Sequence, residues 1–227
     1  MTDTLNRNDE ILKNFCAKYP LRHFKKDRPL FYQGEVPQTA FFIKSGVIKV
    51  YNITAGGEEK IVSYEADGTL VPSGWLFGKS PAALFYYDAF TDSQLYSIPK
   101  QDLINFMNTN QVAATSLLDH YASMYTAAIM HLHALEQSRA RDKLLHIFQY
   151  LALRFGKPMD KNTYKIDLRL THQDIANLIG ITRETVTAEI SKLSKSGTIK
   201  SENLHYIVDT NKALRAVGEN DFDQVNL

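Results

Sequence analysis

At 227 residues, 44% hydrophobic and 22% charged, the chain has the composition of a soluble globular protein with room for two modest domains or one large one. No apolar stretch approaches the roughly 18 residues of a membrane span, and the polar start (Met1-Thr-Asp-Thr-Leu5) lacks a signal-peptide core, so the expected location is the cytoplasm, with no membrane partner. A net charge of +1 removes any whole-protein electrostatic argument for a polyanionic partner, and one cysteine, Cys16, excludes an intrachain disulfide and falls short of the about four thiolates of an iron–sulfur cluster. Cys16 reads as a small apolar filler under an N-terminal helix.

From 29 to 99 the chain alternates short β-rich runs (30–32, 40–43, 47–51 and 60–64) with the turn signals Gln33-Gly34-Glu35, Ser45-Gly46, Ala55-Gly56-Gly57 and Asp67-Gly68. That spacing predicts an all-β roll or barrel. Residues 100–107 form a short helix just after Pro99. Residues 111–137 hold neither Pro nor Gly and read as one long helix, on which Leu118, Tyr121, Tyr125, Ala128, Leu132 and Leu135 follow a 3-4-3-4-3 spacing, the seam of a helix-paired dimer. A further helix places Leu144, Leu145, Phe148, Leu151 and Ala152 on one face and stops at Phe155-Gly156-Lys157-Pro158. The acidic tail from Gly218 to Leu227 reads as frayed.

Residues 170–193 carry the most specific signal. Thr171 caps a helix with Asp174 completing the capping pattern, and Ile175, Ala176, Leu178 and Ile179 face inward. Gly180 supplies a tight bend, Thr182 caps a second helix, and Val186, Ile190 and Leu193 keep its buried face. Small Ala176 allows the close crossing of a helix-turn-helix. The second helix begins with Arg183 and Glu184 and exposes Thr187 and Ala188; Arg183 can pair bidentately with guanine and Glu184 can accept from cytosine N4. Ser191, Lys192 and Lys195 lie further along, suited to phosphates. Residues 197–208 read as two strands around Glu202-Asn203, a wing.

The segment 170–193, above all Thr182-Arg-Glu-Thr-Val186, resembles the DNA-binding signature of the CRP/FNR superfamily, the cyclic-AMP receptor protein and its relatives. Leu30-Phe-Tyr-Gln-Gly-Glu35 and Phe41-Phe-Ile-Lys-Ser-Gly-Val-Ile-Lys-Val50 resemble the opening of that family's nucleotide-binding roll. The resemblance implies an α+β architecture: a β-roll sensor (a cyclic-nucleotide-binding-like jelly roll) with short flanking helices over 1–107, a dimerisation helix over 108–137, and a winged helix-turn-helix over 138–227. It implies a sequence-specific transcription regulator acting as a homodimer on a pseudo-palindromic operator of double-stranded DNA, with RNA polymerase as a further partner. By it Arg183, Glu184 and Ala188 fall on base-reading positions and Thr171, His172, Thr182 and Thr185 near phosphates. Two positions depart from the pattern. Ala188 stands where relatives often carry a second arginine, and Glu189 stands where the helix is usually apolar, which would shift the helix phase.

Relatives that bind cyclic nucleotides hold the phosphate with an arginine, yet no arginine occurs between Arg28 and Arg139. Cyclic AMP is therefore not the expected effector. Three readings of the roll stay open. Ser73, Gly74, Lys79 and Ser80 cradle another anion, with Trp75 or Tyr86 stacking on it and Met124 or Tyr125 relaying the signal; or the aromatics Trp75, Phe77, Phe85, Tyr86 and Tyr87 simply fill the core and the regulator is ligand-independent; or a haem is held by His23, His120, His131 or His133, the weakest, since His131 and His133 cannot share a helix face. No cofactor or metal is expected. A rival from another class is a protein-interaction module, which the mild cation excess of the helix-turn-helix would suit. An enzyme is not expected, because no nucleophile–base pairing, phosphate loop or metal-ligand spacing appears.

Overall fold

The computed structural model describes residues 10–218 and divides into two compact units, Met1–Tyr121 and Ala122–Leu227, with the boundary inside one long helix. The acidic tail beyond Gly218 lies outside the described residues.

In the first unit a helix α1 (residues 10–16) precedes β1 (Leu21–Phe24), β2 (Pro29–Phe31), β3 (Ala40–Ser45), β4 (Ile48–Ile53), β5 (Glu59–Glu65) and β6 (Leu70–Val71). A single-turn helix α2 (Ser73–Leu76), β7 (Tyr86–Ala89), β8 (Ser93–Ile98), α3 (Lys100–Thr109) and the start of α4 (Gln111–Glu136) follow. The strands form two antiparallel four-stranded sheets, β1-β8-β3-β6 and β2-β7-β4-β5. Alternation along a strand then fixes two cores. Ile43 and Leu95, paired across β3 and β8, point between the sheets onto Phe31, Ile48, Val50 and Tyr87. Their neighbours Phe42 and Tyr96 point the other way, onto Leu12 and Cys16 of α1, Leu76 of α2, Leu103 of α3 and Leu117 of α4. Each such side chain contributes about 1.5–3 kcal/mol by leaving water. Cys16 is fully buried, and burial pushes its thiol up to about 12, so it is apolar filler and not a thiolate.

The second unit begins with the rest of α4, followed by α5 (Ala140–Phe155), the hairpin β9 (Gly156–Pro158) and β10 (Thr163–Ile166), α6 (His172–Ile179) and α7 (Arg183–Lys195). The strands β11 (Ile199–Glu202) and β12 (His205–Asp209) form the wing, and α8 (Thr210–Val217) closes the unit. The wing hairpin is the outer half of a larger sheet, ordered β11-β12-β10-β9. Leu144, Leu145, Ile147, Phe148 and Leu151 of α5 are buried beside Val186, Ile190 and Leu193 of α7 and Tyr206 and Val208 of β12. His131 bonds through Nε2 to the Leu178 carbonyl at 2.8 Å and stacks on Tyr150, while His133 meets the buried ring of His146 edge-on. In the first unit His120 bonds to Thr69 at 3.4 Å. Among the described residues no three His, Cys, Asp or Glu side chains gather as metal ligands do.

The residues expected to form a seam on α4 differ in their exposure within the chain. Leu118 and Tyr125 are each 69% exposed, Leu132 is 54% exposed and Ala128 is exposed, but Tyr121 is turned into its own unit, edge-on to Phe77, and Leu135 is half-buried. The exposed apolar row is Leu118, Ala122, Tyr125, Ile129 and Leu132, spaced 4-3-4-3. The expected row mixed two helix faces.

One glycine controls the roll's closure. Gly46, between β3 and β4, has φ +100°, and a Cβ there would stand 2.8 Å from the Asp92 carbonyl oxygen and the Ser93 Cα, backbone atoms that cannot yield. Gly46→Ala should therefore cost at least about 2 kcal/mol, seen as a lower urea midpoint with an unchanged slope; an unshifted midpoint would show that the turn relaxes freely.

Candidate nucleic-acid interface

Helix α6 starts where the sequence says it must. Thr171 Oγ1 accepts the Asp174 N–H at 3.1 Å, and the Asp174 carboxylate accepts the Thr171 N–H at 2.8 Å. This reciprocal box satisfies two of the donors that a helix start leaves bare. The helix ends at Gly180 in the left-handed region (φ 67°), with the N–H groups of Gly180 and Ile181 both on the Ala176 carbonyl. Thr182 then caps α7 by accepting the Thr185 N–H, and its hydroxyl meets that of Thr185 at 2.9 Å.

On α7 the two faces separate cleanly. Val186, Ile190 and Leu193 are buried, while Arg183, Glu184, Thr187, Ala188, Ser191, Lys192 and Lys195 are exposed. Those seven positions recur at the spacing of one helix face. Glu189 does not shift the helix phase: it stays half-buried, and its carboxylate takes Lys192 Nζ at 2.6 Å. The Lys192 ammonium, expected on phosphate, is thus shared with Glu189. The Thr187 hydroxyl also has a partner, donating to the Arg183 carbonyl at 2.9 Å. With that hydrogen committed, His172 Nδ1–H donates to Thr187 Oγ1 at 2.7 Å and ties α6 to α7. Burial, then the nearby Arg183 charge, hold the His172 imidazole below its usual 6.5. The Thr187 hydroxyl is thus bonded on both sides within the helix pair.

Thr171, His172, Gln173, Arg183 and Leu204 line a concavity of about 410 Å³. Leu204, which the sequence does not single out, sits at the wing tip with φ +64° beside Asn203 at +52°. Its carbonyl accepts the Leu170 N–H at 3.0 Å, which fastens the wing to the entrance of α6. Asn203 is a turn signal, but nothing in a leucine announces a left-handed backbone.

Most of the residues expected to cradle an anion around 73–80 have partners within the chain. Trp75 is 8% exposed and belongs to the helix-side core. Lys100 Nζ lies 4.6 Å over its ring and donates to its carbonyl at 2.6 Å, so the indole is no stacking platform. The N–H groups of Lys79 and Ser80 both close onto the Gly74 carbonyl, and the Ser80 hydroxyl bonds to the Ala82 carbonyl at 2.6 Å. Gly74 is half-buried, as is Ser73, which lies against the Tyr121 phenol; of the five only Lys79 is exposed. Tyr86 stacks on Tyr51 at 5.3 Å. Met124 is half-buried and Tyr125 exposed. Deeper in the roll, burial and then the Glu65 charge raise the phenols of Tyr87 and Tyr121 far above their usual range.

A capped helix pair crossing at a glycine bend, with a wing beside it and a β-roll in the other unit, defines a DNA-binding transcription regulator. Residues 21–110 match the Cyclic nucleotide-binding domain family and residues 142–217 the Crp-like helix-turn-helix domain family. The chain belongs to the CRP/FNR superfamily of transcription regulators. It is similar to the Global nitrogen regulator of Synechococcus elongatus, 26% identical over 81% of this chain and 83% of that protein. It is also similar to the Fumarate and nitrate reduction regulatory protein of Escherichia coli, 24% identical over 93% and 83%. In fold it resembles FixK2 from Bradyrhizobium japonicum (TM-score 0.71, 16% identity, 89% of this chain and 98% of that one) and CprK in complex with OCPA (TM-score 0.68, 19% identity, 92% and 94%).

Thr171→Ala removes the acceptor for the Asp174 N–H and should cost about 1 kcal/mol, read as a lowered thermal midpoint. If instead the midpoint holds, the box does not set the start of α6.

Proposed function

We propose that two copies of the chain pair through the exposed row of α4 and present two α7 helices to successive major grooves of a pseudo-palindromic operator. Arg183 and Glu184 read base edges, Ala188 and the Thr187 methyl make apolar contacts, and Thr171, His172, Thr182, Thr185 and Lys192 serve phosphates. In this reading residues 1–107 are the roll, 108–137 the pairing helix and 138–227 the reader. DNA as partner implies the cytoplasm, with RNA polymerase as a further contact. The observation that carries the reading is the division of α7: Arg183, Glu184, Thr187 and Ala188 are exposed while Val186, Ile190 and Leu193 anchor the opposite face. A recognition helix needs that rigid backing to offer its first turn to a groove. Selection of genomic fragments by the purified protein tests it; enrichment of a two-fold symmetric sequence is expected, and recovery of unenriched DNA would refute it.

The effector reading is narrower. A cyclic nucleotide brings an anionic phosphate, and the roll has no arginine between Arg28 and Arg139 and places Glu65 near two buried phenols. This supports control by a molecule other than cyclic AMP. One observation favours a ligand-independent regulator instead: Trp75, Tyr64, Tyr87 and Leu76 are buried in the roll's own cores. DNA affinity that stays constant across added nucleotides and metabolites would support that second reading.

Arg183→Ala should weaken operator binding by about 1–3 kcal/mol and relax the preference at one base pair of each half-site, while leaving the unfolding midpoint unchanged. Competition binding against a single-substitution operator panel reads both effects. Leu132→Glu places a charge on the exposed row of α4 and should shift the protein to monomer in sedimentation equilibrium, with loss of operator binding but not of helix content. A dimer that survives this substitution would move the pairing surface elsewhere.

A further inference from the structure

The helix side of the first unit's core does not close completely. About 200 Å³ stands open where Leu12 and Lys13 of α1 and Phe42 of β3 meet Asp67 and Gly68, in the turn between β5 and β6, and Ser116, Leu117 and His120 of α4. Protein interiors pack to the density of organic crystals, and a hole of this size exceeds several times the roughly 30 Å³ that one water takes in the liquid. Leu12, Phe42 and Leu117 are buried and belong to that core. Lys13 and Asp67 are exposed, His120 is half-buried, and Ser116 is only 5% exposed. The opening therefore has an apolar floor, a buried hydroxyl and a charged mouth. Its floor is separate from the core between the two sheets, and none of residues 73–80 lines it.

The walls are held in place. The Gly68 N–H donates to the Ile43 carbonyl and the Ile43 N–H to the Thr69 carbonyl, each at 2.9 Å, which pins the turn to β3. Thr69 Oγ1 lies 3.4 Å from His120 Nε2, which ties the same turn to α4. Gly68 has φ +87°, and no atom stands within 4 Å of the place a Cβ would take, so the backbone borders open space there. Ser116 and His120 are one helical turn apart on a shared face. Leu118, on the exposed row of α4, is two residues from each, about 200° around the helix. The cavity and that row thus occupy different faces of α4.

The charges at the mouth select the ligand. Neither Lys13 nor Asp67 enters an ion pair among the described residues, with the other or with any third side chain. A simple anion would meet the Asp67 carboxylate and a simple cation the Lys13 ammonium, whereas a zwitterion satisfies both. The volume lies below the roughly 300–1,000 Å³ of sites for drug-sized molecules, which excludes a nucleotide. The apolar floor favours a ligand that also buries an aliphatic group. We propose that this cavity binds a free α-amino acid with an aliphatic side chain. Its carboxylate faces Lys13 and the Ser116 hydroxyl, its ammonium faces Asp67, and its side chain covers Leu12, Phe42 and Leu117. The proposal goes beyond the reading of α7 as the DNA reader and does not depend on it.

The test titrates three compounds into the full-length protein by calorimetry: L-leucine, isocaproate, which is leucine without the ammonium, and isoamylamine, which is leucine without the carboxylate. Leucine should bind saturably with a Kd below about 10 mM, and each analogue at least about tenfold more weakly, having lost one charged hydrogen-bonding group. Lys13→Gln and Asp67→Asn, both at exposed positions, should each weaken leucine binding by about tenfold or more and leave the thermal midpoint of the ligand-free protein unchanged. Should either variant fold poorly, the analogue series on the wild-type protein gives the same reading. No binding of leucine, isoleucine, valine or methionine overturns the proposal. So does isocaproate or isoamylamine binding as tightly as leucine, since the cavity would then be an apolar hole, and so does leucine affinity that is unaltered in either folded variant.

Discussion

At Gly180 the backbone turns through the left-handed region, and two successive N–H groups settle on one carbonyl, that of Ala176. The recognition surface depends on this bend. A residue with a Cβ would pay about 1–2 kcal/mol to hold that conformation, although no neighbouring atom stands within 4 Å of the place. The demand is on the backbone and not on space. Once the chain reverses there, the small, buried Ala176 lets α7 cross close to α6, and Val186, Ile190 and Leu193 fix the rotation of α7 about its own axis. That rotation decides which side chains face outward. Arg183 and Glu184 are exposed because three apolar residues on the other side of α7 are not.

The electrostatics of the reader are local. Glu189 holds Lys192 in an ion pair whose lysine is 69% exposed, and such a surface pair is worth little against solvent. A phosphate can therefore compete for Lys192 at small cost, while Arg183 and Lys195 are engaged by no ion pair among the described residues. The bond from His172 to Thr187 does different work. It crosses from the first residue of α6 to the middle of the exposed α7 face, and so ties the start of one helix to the outer face of the other. A site whose parts are held together in advance loses less entropy on binding. A near-neutral chain can read DNA this way because the charges that matter are positioned, not numerous.

The helix-turn-helix was legible because each of its devices is a residue type with one physical use: a threonine cap, a glycine at positive φ, a threonine cap again. The roll's existence was legible from its turn glycines. Strand β1 was not, since Leu21-Arg-His-Phe24 is half polar and at the sheet edge, where β propensity means least. Nor were β9 and β10, because Gly156 and Pro158 read as the end of a helix and are also the start of a hairpin. Helix α8, capped by Asp209 and ended at Gly218 with φ 79°, carried both signals in plain view, but the run between them is short. Trp75 misled for another reason: an aromatic beside glycine and serine suggests a ligand platform, and only tertiary packing reveals Lys100 lying over the ring.

The long helix shows why heptad periodicity alone does not separate the exposed apolar row of α4 from its buried one. In the first unit Ala113 and Leu117 of α4 are buried, and in the second Ala127, His131 and Ala134 are. Continued along the helix, these positions keep a 4-3 alternation. The exposed row of Leu118, Ala122, Tyr125, Ile129 and Leu132 keeps the same alternation, displaced by five residues. Five residues on an α-helix is a rotation of roughly 140°, so α4 bears two apolar stripes on nearly opposite faces. A template that counts apolar residues at heptad spacing can then step from one stripe toward the other, as the run through Tyr121, Ala128 and Leu135 does, and still score every position. Burial separates the stripes because Tyr121 is held by Phe77 within its own unit. What is left facing water on a helix that already has a core on its other side is an apolar row with no partner among the described residues, the kind of surface that marks an interaction site.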